Sequence, residues 1–235
     1  MPSLTAPCIQ TDVDRSVGRH AADFAGLGVA TVHESAGRSG LMDHGIRPVI
    51  EGVCIAGPAL TCLNQPGDNL MLLAAIELAQ PGDVLVVANL APVAVGMIGE
   101  IIVSMLQAKG LAGIIVDSGT RDVRELRRLG FPVWSRHISA AGTTKSGPGW
   151  VNVPVSAAGA MVAPGDLVVA DDDGVVVVPR TEVDDVLVRA QERQRREAEL
   201  LRSIADGQVP GLSEELRQRL EDLGVRRIPS RGEQP

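Results

Sequence analysis

Aromatic residues are almost missing from this 235-residue chain, which has two Trp, two Phe and no Tyr. The stacking platforms on which single-stranded nucleic acids rest are therefore lacking. Positive charge is short as well: 22 Lys and Arg face 29 Asp and Glu, for a formal net charge of −7. No broad cationic surface is left to neutralise phosphates, so nucleic acid is not an expected partner. The three cysteines, Cys8, Cys54 and Cys62, are an odd number without Cys-x-x-Cys spacing, which argues against a disulfide framework and a thiolate metal site. Cys54 and Cys62 lie in apolar, strand-like runs and read as buried structural thiols of a reducing cytosol. The longest apolar stretches are broken by Gly, Asp and Glu and are too short to span a bilayer. Met1-Pro2-Ser3-Leu4-Thr5 shows no basic stretch leading into an apolar one. The expectation is a cytoplasmic protein with no membrane partner.

What is present, 45% hydrophobic residues over this length, is enough to bury one substantial core. Residues 17–30 carry apolar residues at helical spacing, close on the glycines around Gly26 and Gly28, and feed a strand. Residues 49–62, apolar and β-branched, predict a strand, and 68–79 a buried helix. Val84 to Ala88, after the turn Gln80-Pro81-Gly82-Asp83, predicts a core strand covered on both faces. A helix over 99–109, a strand over 113–116, a helix over 123–129 and a strand over 132–134 come next, and this alternation with Gly-marked connections predicts an α/β fold. After residue 140 the stretches 151–155, 167–170 and 175–178 are β-rich and should pair without intervening helices. Pro-Gly-Asp before valines occurs at Pro81 and again at Pro164, and two hairpin-like strand entries explain it as well as an internal echo does. Residues 181–206 and 213–223 predict charged helices, exposed or resting on a neighbouring subunit, and 226–235 a frayed end. The expected division is an α/β catalytic core over 1–180 and a C-terminal helical extension over 181–235.

The segment Gly113-Ile114-Ile115-Val116-Asp117-Ser118-Gly119-Thr120-Arg121-Asp122 delivers a buried strand into a loop and then a helix. Such strand ends are where α/β proteins bind ligands, because loop side chains and helix N-terminal amides converge there. The alternative is that Asp122 caps the following helix and Arg121 makes a surface ion pair; Asp117 could likewise serve only loop amides. Glu100 opens another helix after Val95-Gly96-Met97-Ile98-Gly99, and adjacent parallel strands could set it beside Arg121. Two carboxylates with water suit Mg²⁺ or Mn²⁺, and no His- or Cys-rich spacing suits zinc. The amides of Ile101 and Ile102 could hold a substrate carboxylate. A hard metal with an anion hole makes a plausible enolate-forming site. His33 could be a general base or, after an apolar strand, a structural hydrogen-bonder, and His137 is a weaker candidate. Lys145, in a small-residue loop, suits the distal carboxylate of a di- or tricarboxylic substrate or is simply solvated. Asp171-Asp172-Asp173-Gly174 reads as a turn rather than a second metal site, and the Arg193–Arg196 stretch, interleaved with Glu, as a salt-bridged face.

Glu100, twenty intervening residues and then Arg121-Asp122 resemble the acidic-x20-Arg-Asp signature of the class II pyruvate aldolases that cleave 4-hydroxy-4-methyl-2-oxoglutarate and 4-carboxy-4-hydroxy-2-oxoadipate, relatives of the ribonuclease E activity regulators. The likeness extends through residues 28–34, 40–43, Pro66-Gly67-Asp68-Asn69-Leu70-Met71, 130–136, Val151-Asn152-Val153-Pro154-Val155 and 170–175, and covers essentially residues 17–207. It implies an α/β/β/α sandwich in trimers or hexamers with active sites between subunits. It further implies that Asp122 binds Mg²⁺ or Mn²⁺ directly, while Glu100 and a neighbouring subunit's Glu197 act through water. By the same likeness Arg121 stabilises the pyruvate enolate, amides around Gly99, Ile101 and Ile102 bind the pyruvyl carboxylate, and Glu34 and Asn69 occupy polar positions of the site. The implied reaction is retro-aldol cleavage of an oxo-acid to pyruvate plus an oxo-acid, with oxaloacetate decarboxylation as a side activity, and Gly-Asp-Asn with Val-Asn-Val-Pro-Val favours the oxoadipate branch used in degrading aromatic acids. A dedicated β-keto-acid decarboxylase is one alternative. A non-enzymatic ribonuclease E-binding regulator is another, although those regulators generally lack an acidic residue matching Glu100 and a long C-terminal extension. The chain departs from the family after Gly207, where Gln208-Val209-Pro210-Gly211-Leu212 replaces the usual Glu-Leu-Gly-Leu and an aromatic, which puts subunit contacts there in question.

Overall fold

The computed structural model describes residues 6–226 and 228. The opening pentapeptide and the end expected to fray, apart from Arg226 and Ile228, lie outside the described residues. Contacts divide the chain between Gln194 and Arg195. In the first part, four strands run parallel as neighbours in the order Ile55–Asn64, Val84–Asn89, Gly113–Thr120 and Val133–Ile138. The antiparallel hairpin Leu167–Asp171 and Gly174–Val178 joins them through the early residues of Ile55–Asn64. All ten residues of that long strand are buried. Its first part, Ile55 to Pro58, pairs with the hairpin, and its second, Ala59 to Asn64, pairs with Val84–Asn89.

Side-chain alternation, which sends successive strand residues to opposite faces, shows how the layers stack. Val84, Val86 and Ala88 share one apolar cluster with Val168, Ala170, Val175 and Val177, and this is the core between the two sheets. Leu85 and Val87 point the other way, into a second cluster with Leu72, Ile76, Val103, Leu106 and Leu126 from the helices Leu70–Leu78, Glu100–Ala108 and Val123–Leu129. Leu167, Val169, Val176 and Val178 face a third cluster with Phe24, Val32, Val186 and Ala190. Helix, sheet, sheet and helix are thus stacked as an α/β/β/α sandwich. The indole N–H of Trp134 donates to the Asp171 carbonyl at 2.8 Å, tying one sheet to the other.

Several local expectations are corrected. The helix expected over 17–30 is a 3-10 turn, Ser16–His20, followed by a short helix, Ala21–Ala25. The next element is a second helix, Val29–Ser35, and not a strand, so His33 and Glu34 are helical. Gly28 makes that start by taking φ 77°, and the Asp171 carboxylate accepts from the Val29 amide at 2.8 Å. The strand expected from residue 49 begins only at Ile55, because the chain turns at Gly52, φ 78°. Of the cysteines only Cys62 is buried, while Cys8 and Cys54 are exposed. The 167–178 hairpin matches its reading, with the Asp171 carboxylate accepting from Asp173 at its turn. In the second part, the end of helix Val183–Ala205 is followed by Glu214–Asp222, whose start Ser213 caps by accepting from the Leu216 amide.

Candidate active site

The parallel strand Gly113–Thr120 ends against Arg121 and Asp122, and helix Val123–Leu129 begins directly afterwards. Asp122 takes the left-handed conformation, φ 58°, ψ 36°, which costs a non-glycine residue on the order of 1 kcal/mol. Its side chain does not cap its own helix. Instead Asp122 Oδ2 accepts the Glu100 amide at 3.0 Å, across from the next helix. A hydrogen bond to a charged acceptor contributes roughly 1.5–3 kcal/mol, enough to offset the backbone strain. Gly99 makes the approach feasible, since a Cβ there would fall 2.2 Å from Asp122 Oδ2. The same glycine leaves helix Glu100–Ala108 without a side-chain cap. The first intrahelical bond is Val103 to Gly99, so the amides of Ile101 and Ile102 precede the helix's own ladder and are available to an anion.

These elements enclose a cleft of about 200 Å³ lined by Asn69, Met97, Gly99, Arg121, Asp122 and Lys145 among others. Arg121 is 3.9 Å from Asp122, with both side chains nearly half exposed, so its guanidinium is not consumed by a tight ion pair. Asn69 is buried, and its amide group donates to the Met97 carbonyl at 3.0 Å. That bond fixes the amide's orientation and leaves Oδ1 buried with no protein donor. Lys145 comes from a loop stitched to Asp68, whose Oδ2 accepts from Thr144 Oγ1 at 2.7 Å and from the amides of Ser146 at 2.6 Å and Gly147 at 3.0 Å. Although burial opposes ionisation, these donors and the Leu70 amide hold the Asp68 carboxyl down at about 2. Asp68 lies within the Gly67-Asp68-Asn69 run of the family likeness, but the sequence gives it no role of its own, because the loop that donates to it lies more than 70 residues away.

The remaining candidates are not all brought here. The Glu100 carboxylate is turned to Arg128, 3.1 Å away on the neighbouring helix. Glu34 sits in the opposite helical layer, bonded to Arg38 at 3.1 Å and 3.9 Å from Arg193. Glu197 lies in the second part of the chain. Asp117 pairs with Arg136 at 2.7 Å and accepts from the Ala158 amide at 2.6 Å, so it does more than serve its own loop. Lys145 and Asn69 do reach the cleft.

Among the described residues no group of three or more His, Cys, Asp and Glu could enclose a metal ion. The carboxylate of Asp122 at the cleft, 42% exposed, instead suits a hard cation that keeps most of its water, as Mg²⁺ does when one or two carboxylates hold it. Asp122 is thus the cleft residue that could hold such an ion.

Among known proteins, a chain of Halalkalibacterium halodurans named "Putative 4-hydroxy-4-methyl-2-oxoglutarate aldolase" is 37% identical over 161 residues, which is 68% of this chain and 77% of that one. A protein of the same name from Burkholderia multivorans is 34% identical over 157 residues, covering 66% of this chain and 95% of that one. The solved structure of Streptomyces coelicolor RraAS2, described as an unusual member of the RNase ES inhibitor RraA protein family, is similar with a TM-score of 0.69 at 34% identity, covering 79% of this chain and 95% of that one. The family model RraA-like, described as Aldolase/RraA, matches residues 22–177, and the chain belongs to that family.

Proposed function

We propose that this protein is a divalent-metal-dependent lyase, a class II pyruvate aldolase that cleaves 4-carboxy-4-hydroxy-2-oxoadipate and 4-hydroxy-4-methyl-2-oxoglutarate to pyruvate plus an oxo-acid and decarboxylates oxaloacetate as a side activity. The observation that carries this reading is the bond from the Glu100 amide to Asp122 Oδ2. It gathers a carboxylate, the guanidinium of Arg121 and the amides of Ile101 and Ile102 at one cleft. The names carried by the Halalkalibacterium and Burkholderia relatives support the substrate class.

In this proposal the pyruvyl carboxylate of the substrate is bound by the Ile101 and Ile102 amides and the 2-oxo oxygen lies toward Arg121. Mg²⁺ or Mn²⁺, when bound, supplies Lewis-acid stabilisation of negative charge on the pyruvyl oxygens. Asp122 holds that ion. The tertiary hydroxyl loses its proton, the C3–C4 bond breaks, and the electron pair moves onto the pyruvyl fragment as an enolate whose charge Arg121 stabilises. Protonation at C3 completes pyruvate. Oxaloacetate has no hydroxyl proton to lose and reaches the same enolate directly, its C3–C4 bond breaking as the carboxylate departs as carbon dioxide, and no Schiff-base lysine is needed for either substrate. The assembly is proposed to be a homotrimer or hexamer acting in the cytoplasm.

A lactate-dehydrogenase-coupled assay tests the reading. Pyruvate release from both the hydroxy-oxoadipate and oxaloacetate, abolished by chelator and restored by Mg²⁺ or Mn²⁺, is the expected result. Turnover of oxaloacetate alone would make the protein a dedicated decarboxylase. The likeness to RraAS2 favours a second reading, a ribonuclease E-binding regulator. Capture of ribonuclease E without any metal-dependent pyruvate release would establish that reading and end the first.

A further inference from the structure

Lys145 is an exposed side chain on a loop, a setting in which a lysine loses considerable freedom when it is made to hold one position. Its backbone, in contrast, is anchored on both sides. Thr144 donates its amide to the Gly67 carbonyl at 2.9 Å, and the Asn69 amide donates to the Thr144 carbonyl at 3.0 Å. Asp68 Oδ2 then takes the hydroxyl of Thr144 and the amides of Ser146 and Gly147, while Oδ1 takes the amide of Leu70 at 2.9 Å, the first residue of helix Leu70–Leu78. Asp68 is only 3% exposed. One buried carboxylate therefore fastens residues 144, 146 and 147 to the start of a core helix, and the residue straddled by these bonds is Lys145, which lines the cleft with Thr143.

The network is stronger than a surface loop needs for its own backbone. Buried amides in loops are commonly satisfied singly by carbonyls or water, whereas here one ionised group collects four donors from two segments. Asp68 itself is not among the residues lining the cleft, so it acts through what it holds. Arg121 and Lys145 bring two cationic groups to the cleft from separate elements. A substrate whose pyruvyl carboxylate is taken by the Ile101 and Ile102 amides still carries further carboxylates beyond the scissile bond.

We infer that Asp68 is a positioning residue, holding the 143–147 loop so that Lys145 reads a carboxylate on the half of the substrate away from its pyruvyl end. This rests on the aldolase reading above and deepens it, assigning selectivity for a polycarboxylic substrate to the 68–145 pairing. Without the anchor, Lys145 remains present but samples many positions, and the ordering cost moves to the binding step.

A double-mutant cycle tests the inference in the full-length protein. Lys145→Ala should raise KM for 4-carboxy-4-hydroxy-2-oxoadipate about tenfold or more, the scale of a lost charge-assisted bond. Asp68→Asn should raise KM in the same direction, with kcat falling far less, and should speed amide exchange at Ser146 and Gly147. In the Lys145→Ala background, Asp68→Asn should add no more than about a twofold further rise. Thr144→Val, which removes one donor while leaving the helix start untouched, should show the same coupling on a smaller scale and serves if Asp68→Asn does not fold. A KM increase from Asp68→Asn or Thr144→Val that persists undiminished in Lys145→Ala, or a loss confined to kcat, overturns the positioning role while the aldolase reading stands. An unmodified protein that releases no pyruvate with metal overturns both.

Discussion

The Glu100 amide and the Asp122 carboxylate, 22 residues apart in sequence, meet at 3.0 Å over a glycine with no room for a side chain. A methyl group on Gly99 would fall 2.2 Å from Asp122 Oδ2 and 3.1 Å from Arg121 Cγ, so both side chains would have to move. Gly99→Ala is expected to lower kcat/KM by about a hundredfold, the usual cost of an ångström-scale misplacement. Steady-state pyruvate release beside a thermal melt checks it. A variant with normal turnover would show that the close approach has no part in catalysis.

Arg121→Ala and Asp122→Ala should each nearly abolish turnover and leave the fold standing, because both side chains are nearly half exposed. Asp122→Asn separates two roles. Its amide oxygen still accepts from Glu100 and the left-handed backbone still suits it, yet the negative charge is gone. Activity should fall with little change in Tm, and more added metal should restore only part of it; full activity in Asp122→Asn would remove the carboxylate from the proposed chemistry.

Asp68 should mark the acid limb of stability. Its carboxyl is held at about 2, below the ordinary value of 3.8, so the folded state binds its proton less readily than the unfolded state. That contribution is complete above roughly pH 4 and disappears as pH falls toward 2, and it amounts to on the order of 2 kcal/mol. Burial pushes Asp166 the opposite way, so the bare acid profile sums opposing effects. The informative quantity is the difference between the unmodified protein and Asp68→Asn in denaturant melts, which should narrow as pH drops from 4 to 2. A constant gap across that range would contradict the assignment.

The three thiols should react in order. Cys8 is exposed, Cys54 is exposed but pushed up to about 11 by burial of its thiol and the nearby Asp171, and Cys62 is fully enclosed and pushed up to about 12. Since the thiolate is the reactive species, a disulfide reagent at pH 8 should modify Cys8 first, Cys54 slowly and Cys62 only on unfolding. Rapid native labelling of Cys62 would be incompatible with its place in the core.

Much of the architecture is legible along the chain. Val84 to Ala88 announces a doubly covered strand because no polar residue interrupts it, and Asp122 and Gly130 bound the helix Val123–Leu129 in the sequence as they do in the fold. That the helix opened by Glu100 starts beside Arg121 is expected from adjacent parallel strands, whereas the short strand Gly96–Ile98 that delivers it, paired with the end of Gly113–Thr120, is not legible in its Gly-rich run. Val29–Ser35 misleads because Val-Ala-Thr-Val is rich in β-branched residues, whose strand preference tertiary packing overrides; its turn-setting partner, Asp171, is 142 residues distant. The direction of the Glu100 side chain depends on Arg128, which lies on another helix and leaves no trace at residue 100. Asp68, within Gly-Asp-Asn, shows no role of its own in the sequence for the same reason. Spacing reveals which elements exist, but side-chain partners drawn from distant segments emerge only once the layers are stacked.

The fully buried strand Ile55–Asn64 is woven into both sheets, changing neighbours between Pro58 and Ala59. Peeling either sheet away would unzip the other, so neither half has an independent route to melting. Heat should dismantle residues up to Gln194 in one cooperative transition, with calorimetric and van't Hoff enthalpies in agreement, and the loops at the strand ends are left free to diversify on a frame that yields only as a whole.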